Sequence, residues 1–226
     1  MIIKTFVVPP IDNNNYLIVD EASKEAALID CSSLEIWDKI PYTNGNVSAS
    51  NVGENRHEIK NIRLKYILLT HGHFDHIAGI KPPDTPIKEK NDEKPLVYMH
   101  KADLEWVNRV NEYMPMMGMS QISVPQIDVF IKDGDIITLG KTQIKVLHTP
   151  GHTQGGVCYY TEGVLFSGDT IFRESVGRCD LPGGNFEQIV KSIENIIYKL
   201  PDETIIYPGH GKSTTVGWEK KHNSYM

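Results

Sequence analysis

The apolar run KYILLT opens into HGHFDH, which crowds three histidines and an aspartate into residues 71–76 at the end of a strand-like segment. This string constrains the fold more than any apolar pattern does, because ligands at a strand end gain partners only where other loops meet the same sheet edge. Residues two apart in an extended chain project to the same side, so His71 and His73 can reach one ion. Phe74 intervenes, and Asp75 with His76 falls where the chain turns into a helix. That pair points elsewhere and suits a neighbouring ion. One short loop can thus serve two metals; the plainer alternative is a set of polar residues in a surface turn.

Short β-rich runs recur as TFVVP, NYLIVD, EAALID, KYILLT, TQIKVLHT, GVCYYT, VLFSGD and TIIYPG, separated mostly by turns. Apolar residues at helical spacing from Phe186 to Leu200 predict a helix over 185–200, capped by Asn185, ended by Pro201 and lying with one face on a sheet. Weaker helical patterns cover 101–114 and 32–40. Alternating strands and helices predict an α/β layered class, and 226 residues with 40% hydrophobic content suit one domain over 1–226. Two stretches break the pattern: 41–61, rich in asparagine, and 82–95, rich in proline, read as surface insertions. YMPMMGMS at 113–120 reads either as an adaptable apolar loop over a ligand or as core filling.

A net charge of −6 with no run of Lys or Arg argues against nucleic acid as a partner. The stretch MIIKTFVVPPIDNNNYLIVD has neither a signal-peptide apolar region nor a bilayer-length run, so a cytoplasmic protein without a membrane partner is expected. Cys31, Cys158 and Cys179 are odd in number and irregularly spaced, which fits reduced thiols.

Further potential ligands follow predicted strands. TPGHTQGG offers His152, FSGDT offers Asp169 and YPGHG offers His210. The order THGHFDH, PGHT, SGDT, PGHG resembles the metallo-β-lactamase-fold hydrolases, over nearly the whole chain from NNNYLIVD to KKHNSYM. Within that family, FRESVGRCDLPGG, the following helix and YPGHGKSTTVGWEKKHN are similar to the compact glyoxalase II-like, or hydroxyacylglutathione hydrolase-like, branch. The resemblance implies a four-layer αββα sandwich, two mixed β-sheets flanked by helices, with the site at one edge. It implies that His71, His73 and His152 hold one metal, that Asp75, His76 and His210 hold the other, and that Asp169 bridges both. The implied cofactors are two divalent ions, zinc first, with iron or manganese as alternatives.

The implied activity is binuclear hydrolysis of a small-molecule thiolester, an S-2-hydroxyacylglutathione of the S-D-lactoylglutathione kind, by a metal-bridging hydroxide that attacks the acyl carbon. Asp75 and Asp169 are the catalytic carboxylates in this scheme: Asp169 holds the metal pair, and Asp75 orients the hydroxide or accepts its proton. Longer glyoxalase II enzymes carry a lysine and a tyrosine where GRCD stands here, so Arg178 and Asp180 are the substrate-binding candidates. Arg178 can grip a carboxylate, whereas Asp180 either meets substrate or pairs with Arg178. A carrier other than glutathione therefore stays open. LIDCSS also departs from the family's IDxG-like turn, and Cys179 reads as a packed thiol or a redox-sensitive one. Two rivals share the fold: a mononuclear non-haem iron persulfide dioxygenase and a metal-binding domain without turnover. A β-lactamase is disfavoured, since those enzymes commonly carry Cys where Asp169 stands.

Overall fold

A computed structural model of the chain describes residues 1–9, 11–40, 61–82 and 94–226. The two stretches read as insertions, 41–61 and 82–95, lie outside the described residues except at their ends. The first sheet runs in the order β1 (Ile2–Val8), β2 (Asn13–Val19), β3 (Glu25–Ile29), β4 (Arg63–Leu68), β5 (Leu96–His100) and β6 (Val129–Ile131). Its first three strands pair antiparallel, and β3 to β6 pair parallel. The second sheet starts with the antiparallel strands β7 (Ile136–Leu139), β8 (Thr142–His148), β9 (Val157–Thr161) and β10 (Val164–Gly168). A ribbon of β11 (Ile171–Phe172) and β12 (Ser175–Val176) follows. The sheet is then completed by β13 (Ile205–Pro208), parallel to β10, and β14 (Thr214–Thr215). Both sheets are mixed.

Among the described residues six α-helices flank them: α1 (Glu35–Lys39), α2 (Phe74–Ile77), α3 (Leu104–Asn108), α4 (Val110–Tyr113), α5 (Phe186–Asn195) and α6 (Val216–His222). Period-two alternation assigns each strand residue to a layer. Tyr16 and Ile18 of β2 face Ile144, Val146, Tyr159 and Phe166 between the sheets. Leu17 and Val19 turn the other way, toward Ile36 and Trp37 of α1, Val107 of α3 and Val110 of α4. On the far side of the second sheet, Leu147, Cys158 and Leu165 pack against Ile189 and Ile193 of α5 and Val216 of α6. Helix, sheet, sheet, helix is the αββα order that the resemblance implies. No helix among the described residues is long and apolar enough to cross a membrane.

The helices are shorter than their sequence patterns. In α5, Asn185 caps as expected, its Oδ1 accepting from Gln188 N at 2.9 Å, but the helix stops at Asn195. Ile196 leaves helical backbone, and Ile197 reaches the core through a separate 3-10 turn over Ile197–Lys199. Phe186, on the apolar stripe by spacing, is exposed; the first residue of the helix to reach the core is Ile189. The pattern over 101–114 is interrupted at Arg109, with φ −103° and ψ 9°.

Two tyrosines cross between the sheets. Tyr16 Oη donates to the Pro208 carbonyl at 2.6 Å, and Tyr159 Oη donates to the Leu69 carbonyl at 2.7 Å. Both side chains are buried, and the two acceptors lie at the strand ends that lead into YPGHG and THGHFDH. The Pro208 carbonyl also accepts from Asn14 Nδ2 at 3.0 Å, whereas removing the Tyr159 hydroxyl takes away the donor to the Leu69 carbonyl, at a cost of about 1–3 kcal/mol. Tyr159→Phe is therefore expected to lower the denaturant midpoint by that free energy with an unchanged slope; an unchanged midpoint would refute the crossing's contribution.

Candidate metal centre

The C-terminal ends of β4, β8, β10 and β13 deliver one side-chain cluster to a single edge of the sandwich. His71 and His73 follow β4, with His73 in extended backbone at φ −72° and ψ 152°. The chain then turns into α2, which carries Asp75 and His76. His152 follows β8, Asp169 follows β10 and His210 follows β13. Ligand atoms of His71, His73 and His152 lie within 4.8 Å of one another, as do those of Asp75, His76 and His210, and those of His71, His76 and Asp169. Asp169 stands between the groups. Its Oδ1 is 3.5 Å from His76 Nε2, and its Oδ2 is 3.6 Å from His152 Nε2 and 3.7 Å from His210 Nε2. His210 Nε2 lies 3.2 Å from Asp75 Oδ2.

These side chains fit metal ions better than they fit each other. His71 Nε2 and Asp169 Oδ1 are buried with no hydrogen-bond partner, a state native proteins rarely tolerate without a ligand. His73 Nδ1 and His152 Nε2 face each other at 2.9 Å, so a proton or a cation has to lie between their lone pairs. Five imidazoles and two carboxylates form a donor set that suits divalent first-row ions.

The opposite nitrogen of four of the rings is pinned. His71 Nδ1 meets Thr70 Oγ1 at 3.1 Å, His76 Nδ1 meets Asp30 Oδ2 at 2.7 Å, His152 Nδ1 meets the Arg178 carbonyl at 2.7 Å, and His210 Nδ1 meets the Ile11 carbonyl at 3.0 Å. Acceptors at Nδ1 place the proton there and turn Nε2 toward the cluster, the usual arrangement around a metal-ligating histidine. Asp30 also accepts from Thr70 N and Oγ1, at 2.8 and 2.9 Å. Buried Asp103 accepts from Gly72 N at 3.0 Å, Thr153 Oγ1 at 2.8 Å and Gly155 N at 2.6 Å, which ties the THGH loop to the PGHT loop. Gly209 of YPGHG is required by space: a Cβ there would stand 2.2 Å from Asp169 Oδ1.

Asp30 and Asp103 escape sequence reasoning. EAALID ends in an acid, but only the parallel pairing of β3 with β4 sets that acid beside the histidines. LIDCSS is accommodated without its glycine, since Cys31 N donates to the His76 carbonyl at 2.9 Å and Ser32 N donates to Asn15 Oδ1 at 2.8 Å.

A cavity of about 850 Å³ opens onto the cluster, walled by Trp106, Tyr113, Met119, Phe172, Val176 and Arg178 among others. YMPMMGMS thus serves both readings, with Met114 in the core and Met119 at the cavity. Arg178 Nε and Nη2 donate to Asp180 Oδ1 and Oδ2, both at 2.7 Å. Asp180 is not among the cavity's lining residues, so it meets Arg178 rather than the cavity. Cys179 is half-buried, with its thiol pushed up by burial. His100 and His148 stack on each other outside the cluster, with ring centroids 4.3 Å apart.

Burial, reinforced by the neighbouring imidazoles of His76, His73 and His152, holds the pKa of His71 far below its ordinary value. Burial and His152 take His73 down to about 3. His76 goes the opposite way. Its burial opposes charge, yet the carboxylates of Asp30, Asp75 and Asp169 carry it up to about 10. A proton drawn to His76 in this way competes with an ion for the ring nitrogen and leaves when the ion binds. Zinc titrations by calorimetry, in buffers of different ionisation enthalpy, are expected to register this proton release at pH 7. Asp30→Asn is expected to reduce it, and zinc uptake without proton release would contradict the assignment.

The metallo-beta-lactamase superfamily model matches residues 8–210. Hydroxyacylglutathione hydrolase GloC of Haemophilus influenzae is 32% identical over 183 residues, covering 76% of this chain and 80% of that protein. The crystal structure of the BLEG-1 B3 metallo-beta-lactamase superposes with a TM-score of 0.78 at 32% identity, covering 99% of each chain. TTHA1623, solved in a di-iron-bound form, gives 0.75 at 30% identity, over 99% of this chain and 100% of that one. Fold, motif order and relatives agree: the chain belongs to the metallo-beta-lactamase superfamily, on its compact glyoxalase II-like side.

Proposed function

We propose that the protein hydrolyses thiolesters at a centre of two divalent ions, with S-2-hydroxyacylglutathiones of the S-D-lactoylglutathione kind as the first substrate class. The observation that carries this reading is the position of Asp169, whose two oxygens face His76 on one side and His152 with His210 on the other. One carboxylate can then be shared between an ion held by His71, His73 and His152 and an ion held by Asp75, His76 and His210. Zinc is the first choice; the relative solved with two irons supports iron as the alternative. When bound, such ions supply a Lewis acid for the acyl oxygen and lower the pKa of water so that hydroxide is available near neutral pH.

The chain's own residues do the rest. Asp75 is buried, which disfavours its charge, but His76 and His210 hold its pKa below the ordinary carboxylate value. It is thus an anion able to orient the attacking water, and its lowered pKa makes it a weak acceptor of that water's proton. A thiolate leaves without help from a protein acid. Arg178 at the cavity wall is placed to meet a carboxylate of the carrier, with Asp180 fixing its guanidinium. The similarity to GloC supports the thiolester class, and three unpaired cysteines support a reducing, cytoplasmic setting.

Hydrolysis of S-D-lactoylglutathione is expected to stop on chelation and to return with added metal. His71→Ala and Asp169→Ala are expected to lower kcat/KM on the order of 100-fold or more. Full activity in chelated protein would refute the proposal. Oxygen uptake with a glutathione persulfide would replace it with the dioxygenase reading, and exclusive turnover of a β-lactam would replace it with a lactamase one.

A further inference from the structure

We infer that the acyl half of the substrate is bulky and apolar, and that Trp106, Val110, Tyr113 and Met119 form the wall that selects it. This rests on the hydrolase reading above and specifies its substrate. The wall and the ligand cluster line the same cavity, and they touch. The Trp106 ring meets the His73 ring edge-on, with centroids 4.6 Å apart and planes at 88°, and Tyr113 lies 4.9 Å from Trp106 on the same wall. A group resting on Trp106 is therefore held directly beside a ligand imidazole.

The wall is built to stay in place. Val107, Val110 and Met114 anchor α3, α4 and the turn after them in the helix-side core. Arg109 stacks over Tyr113 at 5.5 Å while pairing with Glu105 and Glu112 at 3.1 and 2.8 Å. Trp106, Tyr113 and Met119 remain half-buried, so they still have apolar surface to lose to a ligand. Phe172, Val176 and Leu181 add further apolar lining. Burying such surface against a matching group favours binding in proportion to area, and a small hydroxyacyl group covers little of it.

Charge offers the carrier no comparable hold. Apart from the ligand cluster, Arg178 is the one charged side chain among the described residues lining the cavity. Its Nε and Nη2 are already engaged by Asp180. A carrier with more than one carboxylate thus finds a single cation, already shared with Asp180. Selectivity falls to the acyl group.

The test keeps the carrier fixed and changes the acyl group. S-mandeloylglutathione differs from S-lactoylglutathione by a phenyl in place of a methyl. Its kcat/KM is expected to be higher by about tenfold or more in the metal-loaded enzyme. That ratio should collapse toward unity in Trp106→Ala and persist in Trp106→Phe. Binding is read separately with S-benzylglutathione, a thioether that cannot be hydrolysed: it should quench tryptophan emission in the wild-type protein and not in Trp106→Phe. Equal or lower kcat/KM for the mandeloyl substrate, or a ratio unmoved by Trp106→Ala, would overturn the inference while leaving the hydrolase reading intact. Turnover of neither thiolester would overturn the hydrolase reading instead; in that case quenching would still support the Trp106 wall, and its absence would overturn the wall as well.

Discussion

Five imidazoles and two carboxylates share one edge of a β-sandwich, with ligand atoms in groups of three within 4.8 Å of one another, and the rest of the site follows from that crowding. Imidazoles this close cannot all be positively charged, so burial and mutual repulsion favour neutral His71 and His73. Carboxylates beside His76 and His210 shift those two the other way. Orphaned acceptors such as His71 Nε2 and Asp169 Oδ1 each cost about 1–3 kcal/mol when left unmet. Divalent cations would supply the partners that these atoms lack.

Holding that arrangement takes supports from distant parts of the chain. Asp30 steadies Thr70 and His76 together, Asp103 joins the loops bearing His71, His73 and His152, and Tyr16 and Tyr159 fasten one sheet to the other close by. None of the four supports, Asp30, Asp103, Tyr16 and Tyr159, lines the cavity. Around this rigid edge, α3, α4 and the loop containing Arg178 carry the surfaces that differ most in chemistry from the cluster. The division is physical: a fixed polar engine and a separate, mainly apolar wall.

How much of this is legible in the sequence depends on the range of the interaction. The ligands are legible because each sits in a short glycine-flanked string directly after an apolar strand, and period-two alternation identifies most strands. The supports are not, because the contact of Asp30 with His76 spans 46 residues and that of Asp103 with Gly72 spans 31. Strands β5, β6 and β7 stand outside the runs recognised in the sequence, although β5 and β7 alternate between more and less exposed positions. Helical spacing overreaches at Ile197, where a 3-10 turn places an isoleucine in the core as well as a longer helix would. Asp180 is ambiguous by residue type alone; only its bidentate pairing shows that Arg178 takes up its charge.

The central claim is that Asp169 is shared by two ions. Elemental analysis of the protein reconstituted with zinc or iron and freed of excess metal tests it most directly. The account predicts two ions per wild-type chain and loss of at least one in Asp169→Ala. A single ion per wild-type chain, or two ions retained in the variant, would contradict it.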